Sequence, residues 1–166
     1  MNDLLSAHFR RLFEYERDSH EKVLASLRAV PAGKRGAPEF RQALDLLAHV
    51  VAARRMWLAR LGKAPAAEGG WFPKGLDPAE LEARMEAMHA LWSGALAEMT
   101  DAVIRSPFEY ASSDAGRFVN TVEEVLTQLH GHSLYHRGQI ASRVRALGCE
   151  PAVTDYIYWA RKSVPS

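Results

Sequence analysis

The 166 residues carry 21 Lys and Arg against 20 Asp and Glu, a net charge of +1, so no strong field draws in nucleic acid or an anionic membrane. Hydrophobic residues make up 48% of the chain, enough for the core of one domain spanning 1–166. The single cysteine, Cys149, excludes an internal disulfide and a metal–thiolate cluster; after Gly148 it reads as a small loop residue.

Asp3, Arg10, Arg11 and Glu14 interrupt the start of the chain, so no apolar leader is expected there. No apolar run is long enough to cross a bilayer, and the expected location is the cytoplasm. The first predicted helix covers 3–30, with Leu5, Phe9, Leu12, Val23 and Leu27 at helical spacing. Pro31, Gly33 and Gly36 end it. A second helix starts at Pro38, which suits a first turn, and stops at Leu61 before Gly62. Residues 63–76 hold Pro65, Gly69, Gly70, Pro73 and Gly75 and read as a long crossover, with Trp71 and Phe72 pinning it to the rest.

Asp77-Pro78 reads as a helix N-cap followed by a first-turn proline. The third helix is expected to run to Ile104, with Leu81, Met85, Met88, Trp92, Met99 and Val103 as its core stripe. Residues 106–120 mix turn formers and strand formers and suggest a short hairpin or an extended loop. Thr121 and Glu124 have capping-box spacing and open a fourth helix, which ends near Leu147 with Gly148 as its stop. Thr154 or Asp155 caps a short terminal helix. Four amphipathic helices with one long crossover predict an all-α four-helix bundle.

Seven histidines stand at 8, 20, 49, 89, 130, 132 and 136. His132 and His136 are about 40° apart on a helix, one turn along the same face, and Val125, Leu129 and Ile140 share that side. Two such imidazoles can reach one metal ion; on spacing alone they can equally be half-buried histidines bonded to neighbours. Ser133 stands where a zincin motif has its glutamate, so that protease pattern is absent. Glu86 and His89 form a lone E-x-x-H, short of the set a di-iron bundle needs, and His89 reads as structural. His49, on the second helix, is the candidate third ligand. His20 shares a core-facing side with Glu16 and reads as a further ligand, a group behind the ligands or a core histidine. His130 is expected in solvent.

The run His132-Ser133-Leu134-Tyr135-His136-Arg137-Gly138-Gln139-Ile140 resembles the signature of the DinB/YfiT superfamily. The stretch from Leu147 to Ile157, the histidine of the second helix and Pro107-Phe108-Glu109-Tyr110 fit the same family, so the resemblance covers nearly the whole chain. It implies a bundle with up-down-down-up topology and a homodimer. It also implies a metal held by one histidine of the second helix and two of the fourth, here His49, His132 and His136. One departure is Glu16-Arg17-Asp18-Ser19-His20, where many members carry an asparagine or an aromatic-rich segment.

Arg137 is expected to point away from the metal face, into a salt bridge or an interface. Gly138 is expected to permit close helix packing. Gln139 either orients a ligand histidine or a water, or is a buried amide bonded to backbone. Three histidine ligands leave open positions on an ion, as catalytic sites do. Histidine-only ligation suits several metals, with nickel or zinc the leading expectation. The resulting reading is a metal-dependent enzyme acting on a small molecule, as a hydrolase or as a thiol-dependent S-transferase or isomerase using a low-molecular-weight thiol. The alternative is a non-catalytic metal-binding stress-response bundle.

Overall fold

Phe9, Phe13, His20, Val23, Leu24 and Leu27 recur at three- and four-residue spacing and are all buried on one side of α1 (Leu4–Arg28). This computed structural model describes residues 3–65, 68–112 and 116–163. Asp3 takes the N-cap position of α1 without a side-chain bond. The first-turn amides go instead to Asp101, whose carboxylate accepts from Ser6 N at 2.8 Å and Leu5 N at 3.2 Å. These bonds, Ser6 first, hold the Asp101 carboxyl below its ordinary range.

α2 (Pro38–Arg60) opens on its proline, and Gly62 follows it at φ +68°, a conformation that favours glycine. α3 (Pro78–Glu98) is capped by Asp77, which accepts from Ala79 N and Glu80 N at 2.8 Å each. The expectation that this helix continues to Ile104 is corrected. Met99 is extended, Thr100 caps a separate short helix α4 (Asp101–Arg105) through Val103 N, and Val103 itself is exposed. Thr100 and Asp101 both have better partners outside a continuous helix, so the chain breaks there.

An antiparallel hairpin follows, β1 (Pro107–Ser112) with β2 (Gly116–Thr121), paired from Pro107↔Thr121 to Ser112↔Gly116. The turn residues 113–115 fall outside the described residues. α5 (Val122–Ala146) has the expected capping box: Glu124 N donates to Thr121 Oγ1, and Thr121 N donates to Glu124 Oε2 at 2.7 Å. A short α6 (Tyr156–Ala160) starts after Asp155, which makes no side-chain cap bond.

The chain is mostly helical, with one small sheet among the described residues. No described helix is long and apolar enough to cross a membrane. α1 and α2 each pack on both α3 and α5 and touch one another sparsely, so they face each other across the bundle. Leu27, Leu47, Leu58, Met88 and Trp92 fill the interior.

Polar groups cross that interior. Glu16 on α1 and Arg54 on α2 are 1% and 4% exposed and pair through both guanidinium Nε and Nη2, with Nε donating at 2.7 Å. Phe13 and Trp92 hold the guanidinium carbon 5.4 Å from each ring, and Trp92 Nε1 donates to the Arg54 carbonyl at 3.0 Å. His20, fully buried, links α1 to α3 through His89 (3.2 Å) and to α5 through Ser133 (2.9 Å). It is therefore a core histidine, the last of the three roles its position allowed.

Burial, then neighbouring His89, Arg54 and Arg137, push the His20 pKa well below the ordinary 6.5. Burial and the charges of Arg17 and Arg54 push His89 down to about 4. Both rings are neutral in the folded protein at a pH where the unfolded chain binds protons. Stability therefore falls as pH drops from about 6.5 towards 4. Urea unfolding of the metal-free protein between pH 7.5 and 4.5 should show this loss, and His89→Phe should flatten it. An equally steep loss in that variant would remove His89 from the account.

Candidate metal centre

The buried sector of α5 is wide because the helix packs on both α1 and α2. Val122, Ser133 and Ile140 lie near its middle and are buried. His132 and His136 lie at the edge facing α2, half buried. His130 and Arg137 lie at the other edge, more than about 100° round the helix, facing α1. This corrects one expectation. His130 is not solvated: its side chain is 21% exposed and its ring lies 5.9 Å from that of Tyr15. Arg137 does point away from the metal face, but it has no ion pair among the described residues: it is 3% exposed, stands 4.9 Å over the Tyr15 ring and donates to Tyr15 Oη at 2.6 Å. Burial lowers the pKa of both.

The structure brings His49, His132 and His136 together. His49 Nε2 stands 3.0 Å from His132 Nε2, which stands 3.1 Å from His136 Nε2. All three donor atoms fit within 4.8 Å of one another, a group that can hold a metal ion. Each outer ring is held from behind. His49 Nδ1 donates to the Trp71 carbonyl at 2.6 Å, and His136 Nδ1 meets Gln139 Oε1 at 2.7 Å. Gln139 thus orients a candidate ligand, one of the two roles its position allowed.

These bonds fix the protons. A carbonyl only accepts, so the neutral His49 ring carries its hydrogen on Nδ1 and presents a lone pair at Nε2. His136, donating to Gln139, does the same. His132 Nε2 faces both and brings at most one hydrogen, so one of the two contacts stays lone pair against lone pair. A cation at the centre satisfies all three nitrogens. An ion about 2.0–2.1 Å from each nitrogen sets N–N separations of about 2.8–3.4 Å, which both short edges meet. Burial first, then the charges of His136 and His49, lower the His132 pKa to about 4. Burial likewise lowers that of His136, against a smaller upward pull from Gln139. Both favour the neutral, ligating form.

The crossover forms one wall. Phe72 stacks on His49 with centroids 4.4 Å apart and planes 8° from parallel, although it is 70% exposed. Trp71, whose carbonyl holds His49, has its indole 4.7 Å from the Arg60 guanidinium carbon. That carbon also lies 4.8 Å from the Trp57 ring and 5.3 Å from the Tyr110 ring of the hairpin. Gly75 N donates to Asp45 Oδ1 at 3.1 Å, one turn before His49 on α2. The sequence marks the two loop aromatics, but a backbone carbonyl as partner to a histidine leaves no mark in it.

Other expectations resolve as follows. His89 is structural, stacked on His20, and Glu86 is exposed. Gly138 does not serve close packing: a Cβ there would meet nothing within 4 Å, because it lies on the solvent side of α5. Cys149 is a half-buried free thiol.

The profile of the DinB family matches residues 1–163. The chain belongs to the DinB family. Neither a curated protein nor a solved structure matches it. In this DinB protein the signature run on α5 supplies two rings of the triad, and α2 supplies the third.

Holding His49 through the Trp71 carbonyl gives a measurable consequence. Arg60→Met and Trp71→Ala loosen the loop without touching a histidine, and each should weaken zinc binding about tenfold, as losses behind a ligand do. Competition against a chromophoric chelator reads this, and unchanged affinity in both variants would mean that the loop does not hold the ring.

Proposed function

We propose that His49, His132 and His136 hold one divalent transition metal ion, zinc or nickel, and that the protein is a metal-dependent enzyme acting on a small molecule. The observation that carries the reading is the convergence of three Nε2 atoms, two of them fixed as lone-pair donors by bonds to Trp71 and Gln139. When bound, such an ion supplies Lewis acidity at neutral pH, which serves either hydrolysis or activation of a low-molecular-weight thiol.

The enzyme reading is favoured over a non-catalytic metal-binding stress-response bundle by what surrounds the triad. Three protein ligands leave positions free, and His49 and His136 line a cleft of about 290 Å³. The chain's own residues divide the work there. Trp71 and Gln139 hold the rings in one tautomer. Phe72 shields one face of His49 from water and offers its other face to a substrate.

The same reading includes a cytoplasmic location, supported by the lack of a described membrane-crossing helix. It includes up-down-down-up topology, supported by the crossover. α2, at 23 residues, is about 35 Å long, and the segment 61–77 between α2 and α3 can span that distance. It also includes a homodimer, supported by exposed apolar residues such as Ile157 at 64% and Val153 at 57%. Sedimentation should give the dimer mass; a monomer mass at every concentration would remove the dimer.

Elemental analysis of purified protein should find close to one divalent ion per chain. His132→Ala and His136→Ala should each lose most of it, while His89→Phe keeps it. Full metal content in both alanine variants would overturn the site.

A further inference from the structure

The cleft beside the triad carries more charge than a metal site needs. Lys74, from the crossover, and Arg143, from α5, both line it together with His49, His136, Leu46 and Phe72. Arg143 follows His136 by seven residues, two turns along the same face, and helical side chains lean back towards the N-terminus. Among the described residues neither Lys74 nor Arg143 has an ion-pair partner. Asp45 is the one carboxylate on the cleft wall, and one of its oxygens is taken by Gly75 N. The wall therefore carries a net single positive charge before any metal is counted. Three neutral imidazoles add nothing to offset an ion's charge. Phe72 and Leu46 add apolar surface to the same wall.

We propose that this cleft is a binding site for a small organic carboxylate. Its carboxyl group sits between Lys74 and Arg143, its apolar body lies against Phe72 and Leu46, and its far end faces the three histidines. A guanidinium and an ammonium on a partly apolar wall recognise an anion by charge-assisted hydrogen bonds, and an uncharged analogue of the same shape forfeits them. The proposal deepens the reading of the triad as an enzyme site and rests on it for the role of the far end. The anion subsite itself is built from side chains that are present whether or not metal is bound.

The test is a pair of NMR titrations with 4-phenylbutyrate and 4-phenylbutanamide, run on metal-free and on zinc-loaded protein. The acid should bind at least tenfold more tightly than the amide in both forms and shift the amides of Leu46, Phe72 and Arg143. The double substitution Lys74→Gln with Arg143→Gln should bring the two ligands within twofold, with melting temperature and zinc content unchanged. Arg143→Lys should keep most of the preference. Equal affinities for acid and amide overturn the proposal. So does a preference that survives the double substitution, because the carboxylate is then bound elsewhere, including on the zinc. Failure of the triad to take up zinc counts against the metal reading alone, and the metal-free titration still decides the subsite.

Discussion

The buried ion pair between Glu16 and Arg54 is the interaction on which the arrangement of this bundle rests. It joins α1 and α2, the two helices that face each other across the interior and otherwise touch little. A carboxylate and a guanidinium taken out of water are expensive unless each finds the other in good geometry, and removing one partner generally costs about 3–5 kcal/mol. Apolar side chains tolerate small slips; a two-point pair does not. With His20 bridging to His89 and Ser133, polar contacts reach all four long helices. The rotation of each helix about its axis follows. Turning α5 by one residue would carry Ser133 about 100° away from His20, and His132, its neighbour in the chain, would leave His49 by the same angle.

The two sets of histidines show how position alone gives one residue type different work. His20 and His89 are buried, each with a protein partner, and burial keeps them neutral. The triad sits at the border of the buried sector, all three rings half buried, and there burial disfavours protons on His132 and His136. Its nitrogens are held closer than neutral rings with fixed hydrogens would choose. A cation would relieve that unfavourable contact, and the fold converges the three nitrogens without one.

Much of this was legible in the chain because it depends on local chemistry. Asp77-Pro78, Thr121 with Glu124, Gly62 and Gly148 mark helix ends through the backbone groups they satisfy, and the structure has those ends. The pairing of His132 with His136 follows from helical geometry; His49 is the candidate third ligand from its place on the second helix, and the resemblance to a known family points to the same residue. What stayed hidden depends on contacts between distant segments. The break at Met99 follows from Asp101 finding the amides of Leu5 and Ser6, far back in the chain. His130 looked exposed because one apolar stripe was assumed for α5, whereas a helix wedged between two neighbours buries two edges. Gly138 looked like a packing device because it stands in the signature run, but a glycine on the solvent face has nothing to pack against.

The crossover has a double duty that no local rule reveals. It connects α2 to α3, and in passing it places Trp71, Phe72, Lys74 and Gly75 around the site within five residues. A flexible chain rich in glycine and proline would hold none of these in place, because ordering a loop costs conformational entropy for each residue fixed. The opposing terms are visible: the Arg60 guanidinium among three rings, the Gly75 amide on Asp45 and the carbonyl of Trp71 on His49. The last of these couples loop and triad in both directions. A ring drawn onto a cation keeps its Nδ1 hydrogen and strengthens its bond to the carbonyl, so filling the triad tightens the loop. A loop that swings away takes with it the group that fixed the His49 tautomer, and the third nitrogen is then free to turn. Crossover and triad thus share one hydrogen bond, through which a change in either would reach the other.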